Sequence, residues 1–192
     1  MANRTYLVAH RGSGFAEEYD ADTEILAGAS YCVPLFWLSL FTDESLVRVP
    51  TEVENADGAT VVVEVPHLVV ATATGKRSTE ARLSGLLSTL PAAAGTAAKE
   101  WRALCASIEE ATLQVDCSEL WMMDPDGFGA GLSQALAALD EPRGPGLAAL
   151  SELVGLSIDQ PQGKLVSDPA EDLPRHLRGH AWVRKVPFDP GA

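Results

Sequence analysis

Basic residues are scarce in this sequence. It contains 14 lysines and arginines against 27 aspartates and glutamates, which leaves a formal net charge of −13. A surface that binds nucleic acid needs clustered cations, because the release of counterions from the phosphates drives much of the binding. The deficit therefore argues against a nucleic-acid partner and against an anionic membrane surface. It suits a soluble protein that either avoids non-specific contacts or offers its charge to a basic partner.

Cysteines and long apolar runs are also scarce. The three cysteines are widely spaced and include no C-x-x-C pair, so we predict reduced, buried thiols rather than a disulfide framework. The longest apolar run, YCVPLFWLSLF, is too short to cross a bilayer and carries a proline. The first residues lack the basic region, apolar core and cleavage site of a signal peptide. We therefore expect a cytoplasmic protein without a membrane partner.

Several β-branched and alternating segments predict strands. Residues 5–9 form the first, and SLVRVPTEV and ATVVVEV form a pair across the turn signal Asp57-Gly58. Pro50 places the first member of that pair at a sheet edge, because proline cannot donate a hydrogen bond to a neighbouring strand. PHLVVATAT is predicted to be a third strand of this region, and TLQVDCSEL a later one.

Helical patterns lie between and after these strands. Asp22 or Thr23 can cap a short helix that ends at Ala27. Pro34 fits the first position of a second helix, PLFWLSLF, which is apolar on all sides and should be buried. A leucine stripe predicts a helix that starts near Ser78. Two more helices are predicted in KEWRALCASIEEA, which follows a flexible PAAAGTAA joint, and in LSQALAALD.

Taken together, the elements predict an α+β fold with a mostly antiparallel sheet covered by helices, over residues 1–140. After DEPRGPG the composition shifts to more proline and fewer β-branched residues. Residues 141–192 are therefore predicted to be a Pro/Gly-rich linker and a C-terminal extension that packs on the domain. One helix and a last strand, AWVRKVPF, are expected there.

The stretch YLVAHRGSGFAEEYDADTE carries the strongest catalytic pattern. His10-Arg11-Gly12, following a strand, resembles the opening of glycerophosphodiester phosphodiesterases. That resemblance implies a divalent ion held by a Glu-x-Asp pair and histidines that move protons. The metal pair should fall within SYCVPLFWL, which contains no carboxylate, and the chain is short for an eight-stranded barrel of about 250 residues. We therefore predict no metal, no cofactor and no catalytic site.

One enzymatic alternative stays open beside this prediction. It is a degenerate or unrecognised metal-dependent hydrolase, phosphodiesterase-like, that uses His10, Arg11 and nearby carboxylates. His10 would exchange protons with the reacting oxygens in such an enzyme.

Other candidate motifs are incomplete. A phosphate-binding loop in VVATATGKRST would need glycine at position 70 and a hydroxyl at position 77, where the chain has Val70 and Arg77. Gly75-Lys76 is therefore interpreted as a plain turn from strand to helix. The turn DPDGFGAG lacks the glutamate that closes a calcium loop. His176 and His180 have the spacing of a metal-binding pair, but four cations surround them and would repel an ion. His67, in an apolar strand, is expected to be structural.

A second resemblance covers the first two thirds of the chain. The segments MANRTYL and EILAGASYCVPLFWLSL are similar to a family of uncharacterised bacterial proteins that begin Met-Ala-Asn-Arg-Ser-Tyr-Leu; this chain has Thr5 in place of the serine. LQVDCSELWMM resembles a later strand of that family, which ends in Asp-x-Ser-Glu. The resemblance implies a fold and carries over no catalytic residues. It also places His-Arg-Gly in the family's variable loop.

Acidic residues cluster on an early loop, and this cluster suggests a function. We predict a non-enzymatic protein-binding module in which exposed carboxylates capture a basic partner. Its most concrete form is an immunity protein or antitoxin that neutralises a basic toxin. A solvated loop that only aids solubility is the other interpretation of the cluster. The predicted partner-binding residues are Glu17, Glu18, Asp20, Asp22 and Glu24.

Overall fold

The computed structural model describes residues 3–54 and 57–181. Within them the strands are β1 (Arg4–His10), β2 (Thr23–Ser30), β3 (Leu46–Glu54), β4 (Thr60–Ala71), β5 (Thr112–Asp116), β6 (Ser157–Asp159), β7 (Lys164–Val166) and β8 (His180–Ala181). The α-helices are α1 (Leu35–Leu38), α2 (Thr72–Ser88), α3 (Ala94–Ser107), α4 (Ser118–Trp121), α5 (Phe128–Ala138), α6 (Pro145–Val154) and α7 (Leu173–Arg178).

The main sheet has the strand order β3-β4-β5-β1-β2-β8, and every neighbouring pair is antiparallel. Strand β5 lies between two hairpins, β1–β2 and β3–β4. Strands β6 and β7 form a separate ribbon. The predicted α+β fold with a mostly antiparallel sheet covered by helices is therefore confirmed, and Pro50 lies on the edge strand as expected.

The two faces of the sheet are buried by different parts of the chain. Leu7 and Ala9 of β1 belong to one apolar core with Leu83 of α2 and Trp101 of α3. Val8 lies between Leu7 and Ala9 in β1, so its side chain points to the opposite face, and it is also fully buried. The helices cover the first face. Residues 11–22 lie over the centre of the second face, and we call this segment the anchored loop.

The aromatic residues of α1 fill the helical side of the core. Phe36 and Trp37 are fully buried, as predicted, and Trp101 shares their interior. The ring centroids of Phe36 and Trp101 are 6.4 Å apart, a separation at which aromatic pairs stabilise a core.

The three cysteines are free thiols in buried positions, which confirms the prediction from their spacing. Burial raises the pKa of the Cys32 thiol to about 11 and that of Cys105 to about 12. Since the thiolate is the reactive form of cysteine, these side chains are inert at neutral pH.

The predicted helix that ends at Ala27 is wrong, because these residues belong to strand β2. The strand pairs along its whole length with β1, with Thr23 opposite His10 and Ser30 opposite Arg4. Backbone pairing and burial against β1 outweigh a local helix preference that amounts to a few tenths of a kcal/mol per residue.

The boundary between β4 and α2 also differs from the prediction. ATVVVEV and the start of PHLVVATAT form the single strand β4, in which Pro66 lies opposite Arg48. Helix α2 begins at Thr72, well before the predicted cap Ser78. The glycine of the supposed turn, Gly75, lies inside this helix. A Cβ atom there would come within 3.1 Å of Val70, so close packing of helix on strand explains this glycine.

Helix ends elsewhere differ as well. Helix α3 begins at Ala94, inside the segment predicted to be a flexible joint. Helix α1 ends at Leu38 and is therefore shorter than PLFWLSLF. Within the described part of the chain, none of the helices has the length and the apolar character that crossing a membrane requires.

The C-terminal part packs on the rest of the molecule. Leu147 and Leu150 of α6, and Leu173 and Leu177 of α7, belong to the same apolar core as the sheet. The predicted strand AWVRKVPF extends beyond Ala181 and so lies mostly outside the described residues. The boundary at residue 141 remains a prediction.

Candidate partner-binding site

Two side chains of β5 hold the backbone of the anchored loop. Gln114, fully buried at the centre of the sheet, donates its amide N–H to the carbonyl oxygen of Ala16 at 3.0 Å and accepts the N–H of Ala16 at 2.8 Å. The hydroxyl of Thr112 donates to the carbonyl oxygen of Gly12 at 2.6 Å. The loop is thus fixed on the sheet by three hydrogen bonds to its main chain, which satisfy polar groups that would otherwise be buried without partners.

Two aromatic side chains of the loop fix it further. The ring of Phe15 packs against His67 of β4, with centroids 4.1 Å apart and planes tilted by 35°. The hydroxyl of Tyr19 donates to Oδ2 of Asp116 at 3.0 Å. The loop therefore contacts both β4 and β5 through its inward-facing residues.

A polar network beneath the loop holds these anchors in place. Asp116 Oδ1 accepts the backbone N–H of Ser118 at 3.0 Å and its hydroxyl at 2.7 Å. Nδ1 of His67 accepts the backbone N–H of Cys117 at 3.2 Å. That nitrogen also lies 3.5 Å from Asp116, but an acceptor nitrogen carries no proton, so the two residues do not form an ion pair.

The pKa values in this network follow from burial. Burial lowers the pKa of His67, and the neighbouring carboxylate of Asp116 opposes that effect only in part. Burial also raises the pKa of Tyr19, with a further contribution from Asp116. Both side chains are therefore neutral anchors at physiological pH, which fits the structural role predicted for His67.

The five predicted acidic residues belong to the anchored loop and to the start of β2, and each of them is exposed. We call them the acidic surface. Asp20 Oδ1 accepts the N–H of Asp22 at 2.9 Å and the hydroxyl of Thr23 at 3.0 Å, which closes a turn. Glu17 and Glu18 make no hydrogen bond or ion pair within the part of the chain that the structure describes.

Among residues 3–54 and 57–181, one cation forms an ion pair with the acidic surface. Arg11 lies 3.3 Å from Asp22, with 79% of its side chain exposed, so the pair is a weak, solvated one. Five carboxylates and one guanidinium leave a formal charge of −4 on this part of the molecule. The acidic surface is therefore strongly negative even after its own ion pair is counted.

His10 and Arg11, the residues of the enzymatic alternative, are in different environments. His10 is buried at the end of β1, 4% exposed, and its Nε2 has no hydrogen-bond partner among residues 3–54 and 57–181. Arg11 faces solvent. Within the same residues no group of three or more His, Cys, Asp or Glu side chains is arranged to hold a metal ion. A catalytic role for His10 and Arg11 stays a hypothesis.

The sequence did not predict the residues that anchor the loop. Phe15 and Tyr19 are the signal that could have revealed them, because two aromatic residues four positions apart are unusual in an acidic, glycine-containing loop. Their partners, Gln114 and Asp116, are about a hundred positions away. Alternating polar residues in an otherwise apolar strand indicate that β5 has something polar to bind on its second face.

The fold and the site together define an α+β chain whose antiparallel sheet carries helices on one face and an anchored acidic loop on the other. No family model, no characterised protein and no solved structure matches this chain. The two resemblances noted in the sequence therefore stay predictions.

Proposed function

We propose that this chain is a non-enzymatic, cytoplasmic protein-binding module that captures a basic partner protein with its acidic surface. Neutralisation of a basic toxin, as by an immunity protein or antitoxin, is the most concrete form of this function. The single observation that carries the proposal is the anchoring of the loop: its carboxylates are exposed, while its backbone and its aromatic residues are bound to the sheet.

Anchoring favours binding over simple solubility. A loop that only improves solubility needs charge but no fixed conformation. Here Gln114 and Thr112 of β5 bind the backbone of the loop. Phe15 and Tyr19 of the loop contact β4 and β5 in turn. A surface that is already ordered loses less conformational entropy when a partner binds, so more of the interaction energy remains as affinity.

The charge of the acidic surface favours fast association. A formal charge of −4 is concentrated on one segment of a protein whose net charge is −13. Such a field accelerates the encounter with a cationic surface and repels acidic competitors. Fast encounter suits a protein that must neutralise a toxin before the toxin reaches its target.

A capture experiment with matched baits tests the proposal. Three full-length proteins are immobilised and exposed to extract of the native host: wild type, a loop variant and a control variant. The loop variant carries Glu17→Gln, Glu18→Gln, Asp20→Asn and Asp22→Asn. The control removes the same charge from four exposed residues elsewhere, with substitutions Asp43→Asn, Glu44→Gln, Glu141→Gln and Glu171→Gln.

The expected result is a basic protein that the wild-type and control baits retain and that the loop variant loses. Equal retention on all three baits would remove the acidic surface from the function. Loss from both variants would mean that net charge alone attracts the protein, and this outcome would also contradict the proposal.

A further inference from the structure

A second surface of this molecule has the properties of a docking site. An open groove of about 480 Å³ lies between α5, α6 and the turn after α4. Leu120, Phe128 and Leu153 contribute apolar surface to it, and Tyr31 and Met123 lie at its margin. The groove is separate from the acidic surface.

Large apolar side chains are exposed around this groove. Tyr31 is 57% exposed, Met122 57% and Met123 54%, and the other exposed large apolar residues in the described part are Val61 and Val62 of the β3–β4 hairpin. Three of the five exposed large apolar residues of the described part therefore lie at or next to this one groove. Methionines adapt to the shape of a bound side chain, and tyrosine is enriched where binding energy concentrates.

Tyr31 is held in an uncommon backbone conformation. Its φ of 62° lies in the left-handed region, which no other non-glycine residue of the described part adopts. Bulky residues seldom occupy that region, and residues that do so cluster at functional sites. The backbone N–H of Tyr31 donates to the carbonyl oxygen of Asn3 at 2.8 Å, which fixes the backbone from which the side chain reaches the groove margin.

The charges around the groove define what can bind there. Asp124 and Glu152 are the charged residues that line it, and no lysine or arginine of the described residues does. Both are exposed. One oxygen of Asp124 accepts the N–H of Gly127 at 3.0 Å, and its second oxygen accepts no hydrogen bond from the described residues. An occupant with apolar side chains therefore gains from cations beside its apolar face, and an acidic occupant is repelled.

We propose that this groove binds an amphipathic helical segment of a partner protein, with apolar anchors in the groove and lysine or arginine beside Asp124 and Glu152. Helices bind such grooves through apolar residues at i, i+3, i+4 and i+7. None of the five residues of the acidic surface lines the groove. The groove is thus a second interaction surface with a lining of its own.

The test uses a defined probe and a direct readout. The probe is a four-turn peptide with leucine at i, i+3, i+4 and i+7 and lysine at the other positions; the control peptide has glutamate in place of every lysine. The chain contains three methionines, so protein labelled with ¹³C at the methionine methyl groups gives three signals. The signals of Met122 and Met123 should shift with the lysine peptide, with a Kd of about 10–100 µM.

Paired variants locate the binding. Tyr31→Gly removes the aromatic ring and suits the left-handed backbone, so it tests the contact without loss of folding. It should raise Kd about tenfold, whereas Val62→Ser, which removes exposed apolar surface on the hairpin, should leave Kd unchanged. Asp124→Asn with Glu152→Gln should raise Kd more than Asp43→Asn with Glu44→Gln, although both pairs remove the same charge.

Several results would overturn the proposal. Equal binding of both peptides would show that cations have no part in it, and equal effects of the two charge pairs would reduce it to net charge. Sedimentation that changes from dimer to monomer on Tyr31→Gly would identify a second copy of the chain as the occupant. Probe binding that becomes more than tenfold tighter on Trp182→Ser with Phe188→Ser would identify the chain's own C-terminal segment.

Discussion

The indole Nε1 of Trp37 donates a hydrogen bond of 2.8 Å to the carbonyl oxygen of Arg178, 141 positions later in the sequence. This contact binds the end of α7 to the buried helix α1. The next residue, Gly179, has a φ of 70°, and a Cβ atom there would come within 2.5 Å of Trp37 and 2.9 Å of the carbonyl oxygen of Gly28. The C-terminal part is therefore fitted closely to the core at this point.

Gly179→Ala should lower the free energy of unfolding by about 2–4 kcal/mol, because a φ of 70° with a ψ of −167° is a backbone conformation that essentially only glycine adopts and the added Cβ atom overlaps its neighbours. Gly163→Ala is the matched control, since Gly163 has a φ of 61° with nothing within 4 Å. It should cost only about 1–2 kcal/mol. Urea denaturation of both variants measures the difference, and equal losses would mean that the Trp37 contact is not tight.

The stability of the protein should depend on pH through His67. Because burial lowers its pKa in the folded state, the unfolded chain binds a proton that the folded protein does not, in the window from about pH 6.5 down to the folded pKa. The free energy of unfolding should therefore fall as pH falls through this window, by at most about 1.4 kcal/mol per pH unit. Above about pH 6.5 this contribution is fully present.

His67→Asn checks the origin of that slope. An asparagine oxygen can still accept the N–H of Cys117, but the side chain does not titrate. The variant should be less stable overall, and denaturation curves between about pH 5 and pH 7 should show a smaller slope than in wild type. An unchanged slope would assign the pH dependence to other groups.

Neutralising the acidic surface should slow association with a basic partner. Glu17→Gln, Glu18→Gln, Asp20→Asn and Asp22→Asn together should reduce the association rate constant on the order of tenfold at low salt. The difference should shrink at physiological salt, where the Debye length is about 8 Å. Stopped-flow measurements at both ionic strengths, with the partner from the capture experiment, give the two rates.

The fold should tolerate these four substitutions. The Asp22–Arg11 pair is exposed, and Asp20→Asn keeps a side-chain oxygen that can close the turn, so stability should change by less than about 0.5 kcal/mol. If the association rate constant changes with neither the substitutions nor the ionic strength, the loop is only a solvated connection.

The purified protein should not hydrolyse glycerophosphodiesters with magnesium, calcium or manganese. His10 is buried while Arg11 faces solvent, so the two side chains do not converge on one substrate. A colorimetric assay for released glycerol phosphate checks this expectation. Turnover that disappears in His10→Ala would establish the enzymatic alternative instead.

Sequence patterns predicted the parts of the fold that local physics determines. The β-branched runs on either side of Asp57-Gly58 predicted the strand pair. The segment that is apolar on all sides predicted the burial of Trp37. Strand β2 was missed because its residues tolerate a helix, and only the edge of β1 makes them a strand. The role of Gly75 was predicted wrongly because the sequence alone does not distinguish a glycine that permits close packing from a glycine that makes a turn.

The sequence predicted the exposed residues of the candidate site but not the residues that hold them in place. Exposed carboxylates can be read from composition, and all five lie on the surface. The residues that hold them, Gln114 and Asp116, are distant in sequence and form their contacts only after the sheet has closed. Tyr31 carried no signal either, since a left-handed backbone conformation depends on neighbours such as Asn3 that the linear pattern does not specify.

The position of β5 has a consequence for synthesis on the ribosome. The hairpins β1–β2 and β3–β4 can each pair as soon as they emerge, but β5 joins them only after residue 116 has left the exit tunnel. At roughly 5–20 residues per second, the nascent chain carries two separate ribbons, with the inner edges of β1 and β4 open, for several seconds. Unpaired strand edges promote aggregation, so these edges are the part of the nascent chain that a chaperone would need to shield.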